Sequence, residues 1–113
     1  MKLGKRKYRK NRKHNNIVHN LERRLSNKPY VISSETNFEY DKGECDILTQ
    51  QGNRLVYYEI KCNYSIKGLE HGTDQLLRWT GHMYKHYKGM DYYGVFYTPT
   101  EIKIIAKNGK LRK

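Results

Sequence analysis

The chain has 113 residues, 23 of them Lys or Arg against 11 Asp or Glu, for a formal charge of +12. That length supports one domain with a modest core, and the charge points to a polyanionic partner, nucleic acid ahead of an acidic membrane surface. The two cysteines, Cys45 and Cys62, are too few for a disulfide framework and lack the close pairing of a zinc knuckle.

No apolar run could span a bilayer, so no membrane partner is expected. The amino terminus has charge without the apolar stretch of a secretory signal, which implies an intracellular, cytoplasmic protein, or one of the host cytoplasm if viral. Residues 1–14 read as a flexible basic arm, since "MKLGKRKYRKNRKHN" carries eight Lys or Arg in its first thirteen positions and no acid precedes Glu22. A block of one sign repels itself when free and suits phosphate contacts. Lys5, Arg6, Lys7, Arg9, Lys10, Arg12 and Lys13 are therefore candidate nucleic-acid contacts, joined by Arg23, Arg24, Lys67 and Arg78 further on.

Residues 15–113 read as a single domain. Asn15 or Asn16 is a candidate N-cap for a helix in which Ile17, Val18, Leu21 and Leu25 recur at helical spacing until "SNKP" stops it. "YVISSETNFEY", "CDILTQ" and "RLVYYEIKC" follow as strands, the first two separated by a "DKGE" turn. A long helix runs from about Leu69 to Tyr87, with Leu69, Leu76, Met83 and Tyr87 near one stripe, while Gln75, Trp79, His82 and His86 make either a polar stripe near a substrate or a solvated face. "YYGVFYT" and "EIKIIAK" close the chain as two strands around Pro99. The expected fold is α/β, a small mixed β-sheet flanked by helices in the order α-β-β-β-α-β-β.

The central hairpin raises a chemical question. If Gly52 and Asn53 form a two-residue turn, Gln51 pairs with Arg54, and counting back places Leu48 opposite Tyr57, Asp46 opposite Glu59 and Glu44 opposite Lys61 on one face. Cys45, Ile47, Tyr58, Ile60 and Cys62 take the other face, which is apolar enough to be core. Two carboxylates with Cβ atoms about 5 Å apart repel each other, unless a hard divalent cation is shared between them.

Asp46, then Glu59-Ile60-Lys61 on the next strand, with Glu22 on the first helix, resembles the active-site motif of the PD-(D/E)XK nuclease superfamily. Within it, "GECDIL" to "YYEIKC" is similar to the archaeal-type Holliday junction resolvases, and the likeness extends over roughly Ile17 to Tyr87. Gly43-Glu44-Cys45 stands where the superfamily's name has a proline. Gln75 followed by Trp79 looks like the Gln and Tyr of the exonuclease branch.

The resemblance implies a restriction-endonuclease-like core and Mg²⁺-dependent hydrolysis of phosphodiester bonds, with Mn²⁺ able to substitute. Asp46 and Glu59 would be direct ligands, the Ile60 carbonyl a third, and Glu22 a ligand through water. Lys61 would orient the attacking water or stabilise charge on the phosphate, and Gln75 would join the catalytic set. The substrate it implies is branched or four-way DNA. Cutting two symmetry-related strands calls for a homodimer, with Val95, Phe96, Ile102, Ile104 and Ile105 as the apolar surplus available for contact. Two alternatives stand beside this reading. One is a nuclease of other selectivity, whether nicking, restriction-like or exonuclease-type; the other is a non-catalytic basic RNA-binding module.

Overall fold

The structure is a computed structural model that describes residues 12–40, 43–86, 89–107 and 110–111. Lys5, Arg6, Lys7, Arg9 and Lys10 lie outside the described residues. Helix α1 (Arg12–Ser26) leads into strands β1 (Val31–Tyr40), β2 (Gly43–Gln51) and β3 (Arg54–Ile60), then helix α2 (Ile66–His86), and strands β4 (Asp91–Tyr97), β5 (Ile102–Lys107) and β6 (Lys110–Leu111). The strands form one sheet in sequence order, antiparallel throughout except for the parallel β3–β4 pair. That pair needs a long crossover, and α2 is it. The result is the mixed α/β sheet expected, with a short sixth strand added.

Each face of the sheet is covered by one helix. Val18 and Leu21 of α1 pack on Ile47, Val56, Tyr58, Ile60 and Val95; Leu76, Trp79 and Met83 of α2 pack on Leu48, Tyr57, Tyr92 and Phe96. Burial of each such side chain contributes about 1.5–3 kcal/mol, so these two layers carry the domain. Trp79 is thereby a core residue rather than part of a polar stripe, because i, i+3 and i+7 from Leu76 share one helix face. His82 sits edge-on to its ring, with centroids 5.2 Å apart.

Both helices begin earlier than the sequence pattern indicates. In α1 the described helix already includes Arg12-Lys13-His14, since Arg and Lys are good helix formers. In α2 the cap is Ser65, whose Oγ accepts the Gly68 N–H at 2.9 Å. A Cβ at Gly68 would lie 2.9 Å from that oxygen, so the glycine leaves room for the cap.

The hairpin turn is as expected, with Gly52 at φ 63° and Gln51 paired with Arg54, and Leu48 lies opposite Tyr57. The ladder then stops at Ile47–Tyr58, two departures from the counted register following from it. Asp46 and Glu59 do not form a ladder pair; instead the Asp46 carboxylate accepts the Ile60 N–H at 2.8 Å. Cys45 packs with Leu48 and Tyr57 on the α2 side rather than beside Ile47. The strands separate here because opposed carboxylates are costly and a side-chain acceptor can replace the missing carbonyl partner. Strand β3 accordingly ends at Ile60, and Cys62 beyond it is only half-buried.

Candidate functional site

Where β2 and β3 part, two carboxylates are buried: Asp46 is 1% exposed and Glu59 2%. Burying an ionisable group without compensation is expensive, so their partners matter. Asp46 Oδ2 takes the Ile60 N–H, while Asp46 Oδ1 is buried with no hydrogen-bond partner among the described residues. Glu59 lies under α2 beside Gly72, where an added Cβ would come 3.5 Å from its Cγ. Lys61, one residue past the end of β3, brings Nζ to 3.6 Å from Glu59 Oε2. Its backbone N–H donates to the Tyr97 carbonyl, which anchors the loop that carries the ammonium group.

The sequence pattern passes over one member of this cluster. His14, in the first turn of α1, brings Nε2 to 3.0 Å from the Ile60 carbonyl oxygen and 3.4 Å from Asp46 Oδ2. A signal for it does exist. His14, Val18, Leu21 and Leu25 fall at i, i+4, i+7 and i+11, so His14 continues the apolar stripe of α1 once the helix is started at Arg12 rather than Asn15.

Other candidates stand apart. Glu22 accepts a 2.5 Å hydrogen bond from Ser34 Oγ and lies eight residues beyond His14, about 12 Å along the helix axis. Among the described residues no three His, Cys, Asp or Glu side chains converge at metal-binding distance. The cluster joins His14, Asp46 and the Ile60 carbonyl on one side and Glu59 with Lys61 on the other. Gln75 is half-buried on α2, three residues past Gly72.

Of the candidate phosphate contacts, Arg12, Lys13 and Lys67 are exposed, in the first turns of the two helices that carry His14 and adjoin Lys61. Arg78 is exposed further along α2. Arg23 and Arg24 are engaged within the chain, bonding Asn20 Oδ1 at 2.9 Å and the Tyr97 hydroxyl at 3.0 Å. Glu44, expected opposite Lys61, has a side chain outside the described set.

The donor set fits a hard divalent cation: carboxylate and carbonyl oxygens gather at one strand end, and a buried carboxylate oxygen there has no hydrogen-bond partner among the described residues. Cys45 is buried in the apolar layer, and Cys62 is half-buried beyond β3.

No protein-family model and no curated protein matches the chain. Among solved structures it is similar to the small subunit of the heterodimeric restriction endonuclease R.BspD6I, with a TM-score of 0.60 at 20% identity, over 77% of this chain and 51% of that one. The chain spans about half the length of that subunit. The likeness is one of fold: the described residues form a restriction-endonuclease-like α/β core. No helix among them is long and apolar enough to cross a membrane.

Proposed function

We propose that the chain is a divalent-cation-dependent DNA endonuclease that cuts at the open end of the β2–β3 hairpin. The observation that carries this is the buried Asp46 carboxylate, one oxygen of which has no hydrogen-bond partner among the described residues, beside the Ile60 carbonyl and the Glu59–Lys61 pair. Asp46, the Ile60 carbonyl and Glu59 would hold the ion. When bound, Mg²⁺ or Mn²⁺ supplies a polarised phosphoryl oxygen and a water acidic enough to attack at neutral pH.

The chain's own residues do the rest. Lys61, half-buried and held near Glu59, presents a positive charge where negative charge develops on the phosphate, and it can orient the attacking water. Glu59 keeps Lys61 in place in the absence of substrate. Asp46 holds the Ile60 amide, so the carbonyl of the same residue keeps its direction. Arg12, Lys13 and Lys67 draw the backbone of the nucleic acid toward this end of the sheet.

The finer reading is a Holliday junction resolvase acting as a homodimer on four-way DNA, which rests on the sequence resemblance. Exposed Ile102 and Ile104 on β5, 66% and 46% accessible, support an assembly surface. The similar subunit of known structure belongs to a heterodimer, so light scattering of the free protein bears on both possibilities.

The test is a cleavage panel of four-way junction, duplex, nicked, flapped and single-stranded DNA with Mg²⁺ and with Mn²⁺. Paired, symmetry-related cuts in the junction by a dimer are expected. A monomer that cuts duplex and junction equally would remove the resolvase reading and keep the nuclease, and absence of cleavage on every substrate with either ion would remove both.

A further inference from the structure

We infer that the groove at the turn end of the β2–β3 hairpin binds an unpaired stretch of DNA, with a base stacked on Tyr30 and the backbone phosphate held by Arg54 and Lys107. This second nucleic-acid site is separate from the cleavage end. Arg54 and Ile60 are the two ends of the seven-residue strand β3, about 20 Å apart. The groove has a volume of about 790 Å³, within the roughly 300–1,000 Å³ typical of sites that take small organic molecules.

Its walls are set before anything binds. Pro29 leads into Tyr30, and the Val31 N–H donates to the Lys28 carbonyl at 3.1 Å, so the connection from α1 to β1 is a closed turn that presents Tyr30, 55% exposed. Ile32 falls where the β1–β2 register shifts between Val31 and Ser33, and such an irregularity re-aims a side chain. It lines the groove and is 66% exposed. The hairpin turn supplies two amides. Gln51 donates to Thr49 Oγ1 at 2.9 Å and Asn53 to the Gly89 carbonyl at 3.3 Å, which leaves each amide oxygen to accept from a base N–H.

Charge selects the occupant. Arg54 lines the groove with its guanidinium carbon 5.5 Å from the centre of the Tyr93 ring, and Lys107 Nζ is 5.7 Å from the same centre. The two reach Tyr93 from β3 and β5, the strands on either side of β4. Among the described residues neither forms a salt bridge, and none that lines the groove is acidic. Two cations drawn to one ring repel each other, and a phosphate beside them removes that repulsion through charge-assisted hydrogen bonds.

An aromatic platform with cations alongside is the chemistry that holds single strands. A duplex does not fit, because its bases are stacked within the helix and offer no face to Tyr30. A second copy of the chain, with its own charge of +12, would bring like charges to this surface.

The experiment is binding of a fluorescent thymidine oligomer to the full-length protein without divalent ions, followed by anisotropy over a range of salt. Tyr30→Ala and Tyr30→Leu should each weaken binding about tenfold, and Tyr30→Phe should bind as wild type does. Tyr84→Ala, which removes a tyrosine 67% exposed on α2, should change nothing. Arg54→Ala should lower the slope of log affinity against log salt by about 0.7. Blunt duplex should bind the Tyr30 variants as it binds wild type. With 5-iodouracil in place of one thymine, irradiation should crosslink the oligomer to Tyr30, as read by mass spectrometry.

Oligomer binding that is indifferent to Tyr30 overturns the inference by placing the strand elsewhere. Rescue by leucine overturns it too, since Tyr30 would then be apolar cover rather than a stacking platform. Crosslinks confined to residues 1–14 decide for the basic arm instead. If Ile32→Glu breaks up an oligomer in light scattering and leaves strand binding intact, the groove joins two copies and the inference fails. None of these readouts uses cleavage, so loss of the nuclease reading leaves this site standing, and loss of this site leaves the nuclease.

Discussion

The two ends of the β2–β3 hairpin are built from the same two strands and behave as opposites. At the turn end every pair from Ile47–Tyr58 to Gln51–Arg54 is in register, and Gly52 supplies the positive φ the turn requires. Asn53 ties that turn to β4, its carbonyl accepting the Asp91 N–H at 3.1 Å. At the open end the ladder stops, and a carboxylate takes the place of a strand partner for Ile60. One end spends its backbone groups on structure; at the other the Ile60 carbonyl meets His14, Lys61 meets Glu59, and one Asp46 oxygen has no hydrogen-bond partner among the described residues. A surface groove lined by Pro29, Tyr30, Ile32 and Arg54 lies at the turn end, well away from Asp46.

The largest effect expected from breaking this contrast is at the open end. Asp46→Asn retains an oxygen that can accept the Ile60 N–H, so the fold should persist while DNA cleavage falls by about 10²–10³-fold. Circular dichroism melts alongside cleavage rates check it. A variant cutting near the wild-type rate would sink the site assignment.

Between the two ends lies Tyr57, whose hydroxyl is hydrogen-bonded to Thr80 and whose pKa is pushed up to about 12 by burial. The unfolded chain ionises this phenol near 10, the folded chain only near 12. The group's stability is therefore fully present below pH 10 and is lost as pH rises from 10 through 12, by about 2–3 kcal/mol at most. Tyr57→Phe should flatten the dependence in that window, measurable by urea unfolding at pH 9 and pH 11. Equal slopes in the two proteins would show that another group titrates.

A third variant joins stability to the site. An added Cβ at Gly72 would lie 2.7 Å from the Phe96 ring and 3.5 Å from Glu59 Cγ. Gly72→Ala should push α2 off the sheet, costing about 1–3 kcal/mol. Because the cover that α2 gives Glu59 would loosen, cleavage at saturating metal should fall as well. Preserved stability would mean that α2 can shift freely above Glu59.

Smallest of all, Gly52→Ala places a side chain at φ 63° with open space around it, so only backbone strain is added, about 1 kcal/mol. Stability should drop by that amount and cleavage should not change, as a thermal melt and a rate measurement would show. Lost activity would mean that the two ends are coupled along the strands.

Much of this organisation follows from the chain read by itself. Val18, Leu21 and Leu25 recur at helical spacing, and the Gly52-Asn53 turn sets which residues of β2 and β3 are opposed; both are local patterns, governed by neighbours a few residues away. Asp46, Glu59 and Lys61 stand out for the same reason, as charges on strands otherwise apolar. Tertiary packing alone decided that Asp46 and Glu59 leave the ladder, that Cys45 turns to the α2 side, and that Trp79 is core. It also decided that His14, 46 residues before Ile60, reaches the Ile60 carbonyl while Glu22 lies beside Ser34. Helical periodicity specifies which residues share a face, but where α1 starts and how far it slides along the sheet depend on burial against strands formed later in the chain. Local spacing carries no record of that contact, so His14 becomes part of the site only once α1 is docked.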